Sequence, residues 1–431
     1  MKLRLRDVLR LAVTATGRRR IAVGLRAIVE PALDRLATRR RRRGLVSTRV
    51  VAVVGSFGKS TTVRAVSAAM GLDFERIDGN AGAAPALELL RAPRRARRVV
   101  LEIGVNRPGI MRRRAVLLRP DVVVVTSVGS EHNRSLGNLE TTRSEKAEMV
   151  RGLSPTGVAI LNADDPNVRW MAGQAPGRVV LVGTSSDAEL RAEDIVVDFP
   201  SGTRFTLVAK GSRRQVKTRL LGSKAVFSIL AAIAVGVVEG ESLDVVIERL
   251  EELPPLRMRL EPVLLPDGTV ILRDEFKSAP ETIHNALDLL AEVRGRRKIV
   301  VLGEVSEPPG SQRPIYRAVG ERAAQVADLF VHVGHSRQKY TTGWTRAGMT
   351  RETILDAGPG VIRAAEIVRS IRRPGDVILL KGRDTQKLDR VAVALMGREV
   401  RCAVEFCNLN LGPCDTCSYL TRGFPDNVVR M

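Results

Sequence analysis

Val51-Ala52-Val53-Val54-Gly55-Ser56-Phe57-Gly58-Lys59-Ser60-Thr61-Thr62, residues 51–62, is the stretch on which the fold turns. A β-branched run from Val50 to Val54 stops at Gly55, and an apolar-periodic segment begins near Ser60. The chain therefore reads strand, tight turn, helix. In such a turn glycines let backbone amides face a phosphate, and the helix N-terminus adds positive potential. Lys59 reaches the outer phosphates and the Ser60 hydroxyl is placed to ligate magnesium. Gly55, Ser56, Phe57, Gly58, Lys59, Ser60 and Thr61 are thus the expected nucleotide-binding residues. The glycines are closer together than in the usual phosphate-loop consensus, so a purely structural turn is the competing reading.

Outward from this loop the same alternation repeats. Val99–Ile103, Val122–Thr126 and Val158–Leu161 are short apolar runs bounded by turn or helix signals, the pattern of strands buried on both faces. A helical segment from Lys224 to Val238 and another reaching Leu250 close this region. Pro254 and Pro255 stop the helix and stiffen a linker. The pattern then restarts, with strands at Val270–Leu272, Lys298–Leu302, Leu329–Val333 and Val377–Leu380 and helices near 281–293, 315–326 and 361–369. The expected class is α/β: a central phosphate-loop ATPase domain on a mostly parallel sheet, then a smaller Rossmann-like domain. The expected boundaries are 1–46 for a basic helical segment, 47–253, 254–396, and 397–431 for a cysteine-rich tail.

The 431 residues carry a net charge of +23, which favours anionic partners without choosing among them. Aromatics are only 3%, leaving few stacking platforms, so nucleic acid is a poor candidate. No apolar stretch is long enough to span a bilayer and no secretory leader pattern is present, so the cytoplasm is expected, with peripheral contact at the inner membrane face as a further candidate. Leu25, Ile28, Val29, Ala32, Leu33 and Leu36 follow helical spacing among arginines, despite Pro31. That stripe is expected to pack on the protein, a membrane surface being the other candidate.

Further segments carry a family resemblance. Residues 51–62 resemble the ATP loop of the Mur ligases. Glu102-Ile103-Gly104-Val105-Asn106 with Gly109, Ser127 to Lys146, and Leu161 to Pro166 resemble, in order, segments of the branch that adds D-alanyl-D-alanine. Arg259-Leu260-Glu261, Asp274 to Pro280, Leu302-Gly303-Glu304 and Lys381-Gly382-Arg383 continue the series, so the resemblance covers about residues 47 to 396. It implies an ATP- and magnesium-dependent carbon–nitrogen ligase that phosphorylates a carboxylate and couples it to an amine. It implies that Ser60, Glu102 and His132 serve magnesium and that Lys146 is carbamylated into a metal-facing carboxylate. It further implies catalytic roles for Lys59 and Lys277 and nucleotide contacts from Asn162, Arg259 and Asp274. Closure of two domains would keep water from a labile acyl phosphate.

The resemblance also breaks in places. The family's G-x-H-N-x-x-N reads Gly222-Ser223-Lys224-Ala225-Val226-Phe227-Ser228 here, so the adenine-serving asparagine is replaced. The family's D-S-Y-N-A-N-P reads Asp274-Glu275-Phe276-Lys277-Ser278-Ala279-Pro280. The basic segment before the core is too short for a nucleotide-sugar domain of ordinary size, so a different substrate is expected. That substrate is a small-molecule or glycan carboxylate with an amine, acting in cell-envelope or exopolysaccharide assembly. Cys402, Cys407, Cys414 and Cys417 cluster after the core, a pattern read as a thiolate zinc site, with free thiols or an iron–sulfur or redox pair as alternatives. Two other function classes compete with the ligase: an ATPase that binds a polyanion, and a ligase-derived binding subunit without turnover. Neither substrate nor oligomeric state follows from the sequence.

Overall fold

The computed structural model describes residues 15–74, 80, 82–130, 133–209, 211–306, 310–407 and 412–424. Leu25–Pro254 forms one compact unit, and Pro255–Met431 belongs to the other. In the first, an eight-stranded sheet runs in the order β2-β1-β3-β4-β5-β6-β7-β8. Its parallel part comprises β1 (Arg49–Val54), β2 (Arg98–Glu102), β3 (Val122–Val125), β4 (Val158–Asn162) and β5 (Arg178–Gly183). Val50 to Val54 and Val122 to Val125 are buried, as parallel strands covered by helices on both faces must be. One apolar cluster on each face holds them. On one face α2 (Lys59–Ala69) packs against α5 (Ser223–Val238), and α6 (Leu243–Glu251) closes that layer. On the other lie α1 (Ala15–Arg43), α3 (Ile110–Leu118) and α4 (Leu139–Arg151).

The strand order places the loop. After β1 the chain goes to β2 on one side and then to β3 on the other, so the carboxyl ends of these strands open a crevice at a topological switch point. Gly55, Glu102 and Thr126 stand at those three ends. Beyond β5 the sheet continues through β6 (Leu190–Asp198), which pairs antiparallel with β7 (Gly202–Ala209), itself antiparallel to β8 (Ser212–Thr218). This meander carries alternating burial, with Phe205, Leu207 and Val216 in the core and Arg213 and Arg214 in solvent.

The second unit holds a six-stranded sheet in the order β13-β12-β11-β14-β10-β9. β10 (Val270–Asp274), β11 (Lys298–Leu302), β12 (Leu329–His332), β13 (Ile354–Asp356) and β14 (Val377–Lys381) are parallel, and β9 (Glu261–Leu264) is an antiparallel edge. Asp274, Lys381 and Leu302 are register partners, which gathers three more strand ends at one edge of the sheet.

The helix α1 departs from expectation. Leu25 of its apolar stripe lies outside the described side chains; of the described ones Leu33 packs on the core, while Ile28, Val29 and Leu36 are 75%, 45% and 52% exposed. The helix is seated instead by charges on its opposite side, Asp34 and Arg41 being buried. Among the described residues no helix is long and apolar enough to cross a membrane.

Candidate functional site

Two glycines and three hydroxyls shape the loop after β1. A Cβ at Gly55 would stand 1.9 Å from Thr126 Oγ1, so only glycine lets β1 and β3 approach this closely. Gly58 has φ 80°, the left-handed conformation that starts α2. The loop is pinned from the exit of β3. The Ser56 amide donates to Ser127 O, the Phe57 amide to Ser127 Oγ at 2.9 Å, and Thr126 Oγ1 to Phe57 O at 2.5 Å. The Gly129 amide donates to Ser56 Oγ at 2.9 Å. Asn162, at the end of β4, donates from Nδ2 to Thr126 O at 2.9 Å and accepts from the Asp164 amide. Its side chain thus braces the β3 exit.

The reactive groups converge beneath that turn. Lys59, 5% exposed, donates from Nζ to Gly55 O and Ser56 O at 2.9 and 3.0 Å. Ser60 Oγ donates to Glu102 Oε2 at 2.7 Å, and Asn80 Nδ2 donates to Glu102 Oε1 at 2.5 Å. Glu102 is buried, and among the described residues neither of its oxygens is held by a cationic partner. A buried carboxylate with only neutral donors is costly unless a cation joins it, and an adjacent hydroxyl oxygen supplies a second hard ligand. Ser60 and Glu102 therefore fit magnesium. Asn80 escaped the sequence reading; its only local signal is a Gly79-Asn80 pair ahead of Gly82.

Lys146 sits on α4 and is 1% exposed. Burial pushes its ammonium well below the usual lysine range, the nearby Lys59 charge pushes it further, and Glu145 opposes. Glu145 is engaged elsewhere, accepting from the amides of Gly109 and Met111 at the start of α3 at 2.9 and 2.8 Å. His132 lies outside the described residues. Ser228, where the family has the adenine-serving asparagine, is buried and shares a 2.9 Å hydrogen bond with Thr62 Oγ1. Its hydroxyl ties α5 to α2.

In the second unit, Asp274 Oδ2 accepts from Lys381 Nζ at 2.6 Å. Burial raises the Asp274 carboxyl and lowers the Lys381 ammonium, against their mutual attraction. Asp274 thus has a partner within its own sheet, where the resemblance gave it a nucleotide contact. The Arg259 guanidinium lies 4.1 Å over the ring of Phe276, which is 39% exposed, and Lys277 beside it is half-buried. Glu304 is engaged by Tyr316 Oη at 2.6 Å and the His335 amide at 2.6 Å. Burial alone would raise its carboxyl, yet these donors and the neighbouring His332 and Ser336 hold it far below the usual range.

Glu275 has no exposed surface and is paired with Arg273 at 2.7 Å. Burial raises its carboxyl from 4.5 to about 7, opposed by Arg273 and helped by Asp389. A carboxyl with a raised folded value holds its proton longer folded than unfolded, so its contribution falls as pH rises from about 4.5 to 7 and is constant above. Glu275→Gln is expected to remove that slope, a difference on the order of a few kcal/mol between the two ends of the window. Denaturant melts of both proteins at pH 4.5 and 7.5 check it; parallel curves would refute it.

The described residues of the tail do not assemble the expected zinc site. Among the described residues no group of three or more His, Cys, Asp or Glu side chains is placed to hold a metal, although all four cysteines are described. The reason is that α7 (Asp389–Leu395) claims two of them separately. Arg390 Nη1 donates to Cys402 O at 2.5 Å and lies 3.4 Å from its sulfur. Cys414 packs with Val393 and Leu420 while its amide donates to Asp389 Oδ2. Burial raises the Cys414 thiol, the opposite of what a thiolate ligand needs.

This geometry has counterparts among known proteins. The Mur ligase middle domain matches residues 53–236 and the Mur ligase glutamate ligase domain matches residues 258–383. The UDP-N-acetylmuramoyl-tripeptide--D-alanyl-D-alanine ligase of Mycobacterium bovis is 28% identical over 370 residues, covering 80% of this chain and 72% of that protein. The Escherichia coli enzyme of the same name is 28% identical over 361 residues, covering 82% and 78%. Among solved structures, MurF from Acinetobacter baumannii superposes with a TM-score of 0.76 at 20% identity, covering 86% of this chain and 81% of that one. MurF ligase from Thermotoga maritima in complex with ADP gives 0.75 at 22% identity, covering 85% and 83%. With both domains matched in order, this chain belongs to the Mur ligase family of ATP-dependent ligases.

Proposed function

We propose that this chain uses ATP and magnesium to convert a carboxylate into an acyl phosphate and then joins it to an amine, and that its substrates differ from UDP-N-acetylmuramoyl-tripeptide and D-alanyl-D-alanine. The observation that carries the first part is the Ser60–Glu102–Asn80 group at the strand ends, with Lys59 beneath the loop and Lys146 buried beside it. Magnesium, when bound, neutralises the phosphates and orients the γ-phosphate for in-line attack. Ser60 and Glu102 would hold it. Asn80 fixes the rotation of the Glu102 carboxylate by occupying its other oxygen. Lys59 places a positive charge where negative charge builds on the transferring phosphoryl group.

Lys146 is proposed to act as a carbamate. Its depressed ammonium supplies the neutral amine, which adds carbon dioxide and loses one proton to become N-carboxylate. His132 is proposed as a further metal contact and Asn162 as the brace of the nucleotide loop. Arg259 and Lys277 are proposed to meet phosphate or the reacting carboxylate, Arg259 through a guanidinium already oriented by Phe276. Asp274 is proposed to act through Lys381 rather than on the nucleotide directly.

The second part rests on the sequence departure after Asp274, where Glu275, Lys277 and Ser278 replace the family's residues. An excess of arginine suits a carboxylate-bearing or phosphate-bearing partner, because guanidinium binds both through paired hydrogen bonds. We place the reaction in envelope-precursor or exopolysaccharide assembly in the cytoplasm, with an anionic glycan or envelope precursor as one substrate. A panel of acids and amines with ATP, scored by phosphate release and the mass of the amide, is the test. Efficient coupling of UDP-N-acetylmuramoyl-tripeptide to D-alanyl-D-alanine would overturn the substrate claim and leave the ligase chemistry standing.

A further inference from the structure

From Glu30 onward, α1 turns its acids inward with Leu33 and Ala37, and Leu36 faces outward, as does Ile28. Arg114, 1% exposed, donates to Asp34 Oδ1 at 2.9 Å and to Glu30 Oε1 at 2.8 Å, and Arg113 pairs with Asp34 at 2.8 Å. On the same side Arg41 reaches Leu118 O at 2.8 Å and Asp121 at 3.1 Å, and Arg40 donates to Leu89 O at 3.0 Å. At 100° per residue these groups, with Leu33 and Ala37, occupy one side of the helix. The other side carries Ile28, Ala32, Arg35, Leu36, Arg39, Arg42 and Arg43, all exposed and with no acid among them.

Next to this face runs a groove of about 860 Å³ between α1 and α3, lined on one wall by Arg35, Leu36 and Arg39 and on the other by Arg112, Arg113 and Val116. Val116 is 55% exposed. Exposed aliphatic side chains set among arginines, on a helix tied to its domain between Glu30 and Arg41, match the chemistry of an interface between acyl chains and anionic head groups. The charge also argues against other occupants. A second copy would bring the same arginines face to face, and the segment 1–14 is itself basic. We propose that α1 and the groove beside it form a docking surface for an anionic phospholipid membrane, with Ile28, Leu36 and Val116 entering the interface and Arg35, Arg39 and Arg112 meeting lipid phosphates. This contact is independent of the ligase substrates.

Co-sedimentation of the full chain with phosphatidylcholine vesicles, with and without phosphatidylglycerol, tests it. Binding is expected only to vesicles containing phosphatidylglycerol, weakening as salt rises. Replacing Arg35, Arg39 and Arg112 by Gln should weaken binding by roughly fivefold each, on the order of 100-fold together. Ile28→Ser with Leu36→Ser should weaken it by on the order of tenfold, including at high salt. All five residues are exposed, so unchanged thermal unfolding is expected. A control with Arg351, Arg363 and Arg373, also exposed, replaced by Gln should bind as the parent does. Equal loss in that control, equal binding to neutral vesicles, or no binding to either would overturn the proposal. So would self-association abolished by the serine variant, or a soluble polyanion such as heparin competing through the control arginines instead.

Discussion

Lys59→Ala is expected to lower ATP-dependent turnover by on the order of a thousandfold or more, in a protein that still folds. In the free enzyme its Nζ donates to the carbonyls of Gly55 and Ser56. Removing it costs those two hydrogen bonds, about 1–3 kcal/mol of stability, which the surrounding pins from Thr126 and Ser127 can absorb. The catalytic loss is larger because phosphoryl transfer depends almost wholly on positioned charge. Steady-state rates beside a thermal melt decide the matter. Near-parental turnover in a folded variant would remove the loop from the mechanism.

The second large effect belongs to Lys146. Lys146→Ala is expected to be inactive without supplement and to regain part of its turnover when small carboxylic acids such as acetate are added, since an acid can stand where the carbamate stood. The expectation follows from burial: an amine 1% exposed, with Lys59 nearby, is a poor place for an ammonium and a good one for a neutral nucleophile. The parent should also lose activity when carbon dioxide is stripped from the buffer and recover it with bicarbonate. Full activity of the unsupplemented variant would refute a catalytic role. Lys146→Gln, which keeps the volume and lacks the amine, separates chemistry from packing.

The parallel strands were legible because burial on both faces writes itself as unbroken β-branched runs, and Val50–Val54 and Val122–Val125 are such runs. The β6–β8 meander was not, because its strands are half in solvent and carry Arg191, Glu193, Arg213 and Arg214 among their apolar residues. The spacing of the α1 stripe predicts a helix, which forms, and a core-facing side, which Ile28, Val29 and Leu36 do not have. Periodicity reports that a helix has two faces; here the ion pairs of Asp34 and Glu30 with Arg114 decide which one is inside, and those partners are about 80 residues away. Lys146 shows the same limit, since Glu145 and Glu148 beside it suggest a solvated face, whereas its side chain is buried. The tail cysteines failed for a related reason. Their spacing admits a metal site, but Arg390 and Asp389 on a neighbouring helix hold Cys402 and Cys414 for packing.

The central claim is that this chain makes an acyl phosphate at the Ser60–Glu102 site, and isotope transfer tests it most directly. With the productive acid labelled by oxygen-18 in its carboxylate, attack on the γ-phosphate puts one labelled oxygen in the bridge between acyl carbon and phosphorus. Attack by the amine then breaks the bond from acyl carbon to that oxygen, so it leaves with phosphate. One labelled oxygen is expected in inorganic phosphate for each amide formed, with ADP as the other product. Unlabelled phosphate, or AMP and pyrophosphate, accompanying the same amide would contradict it.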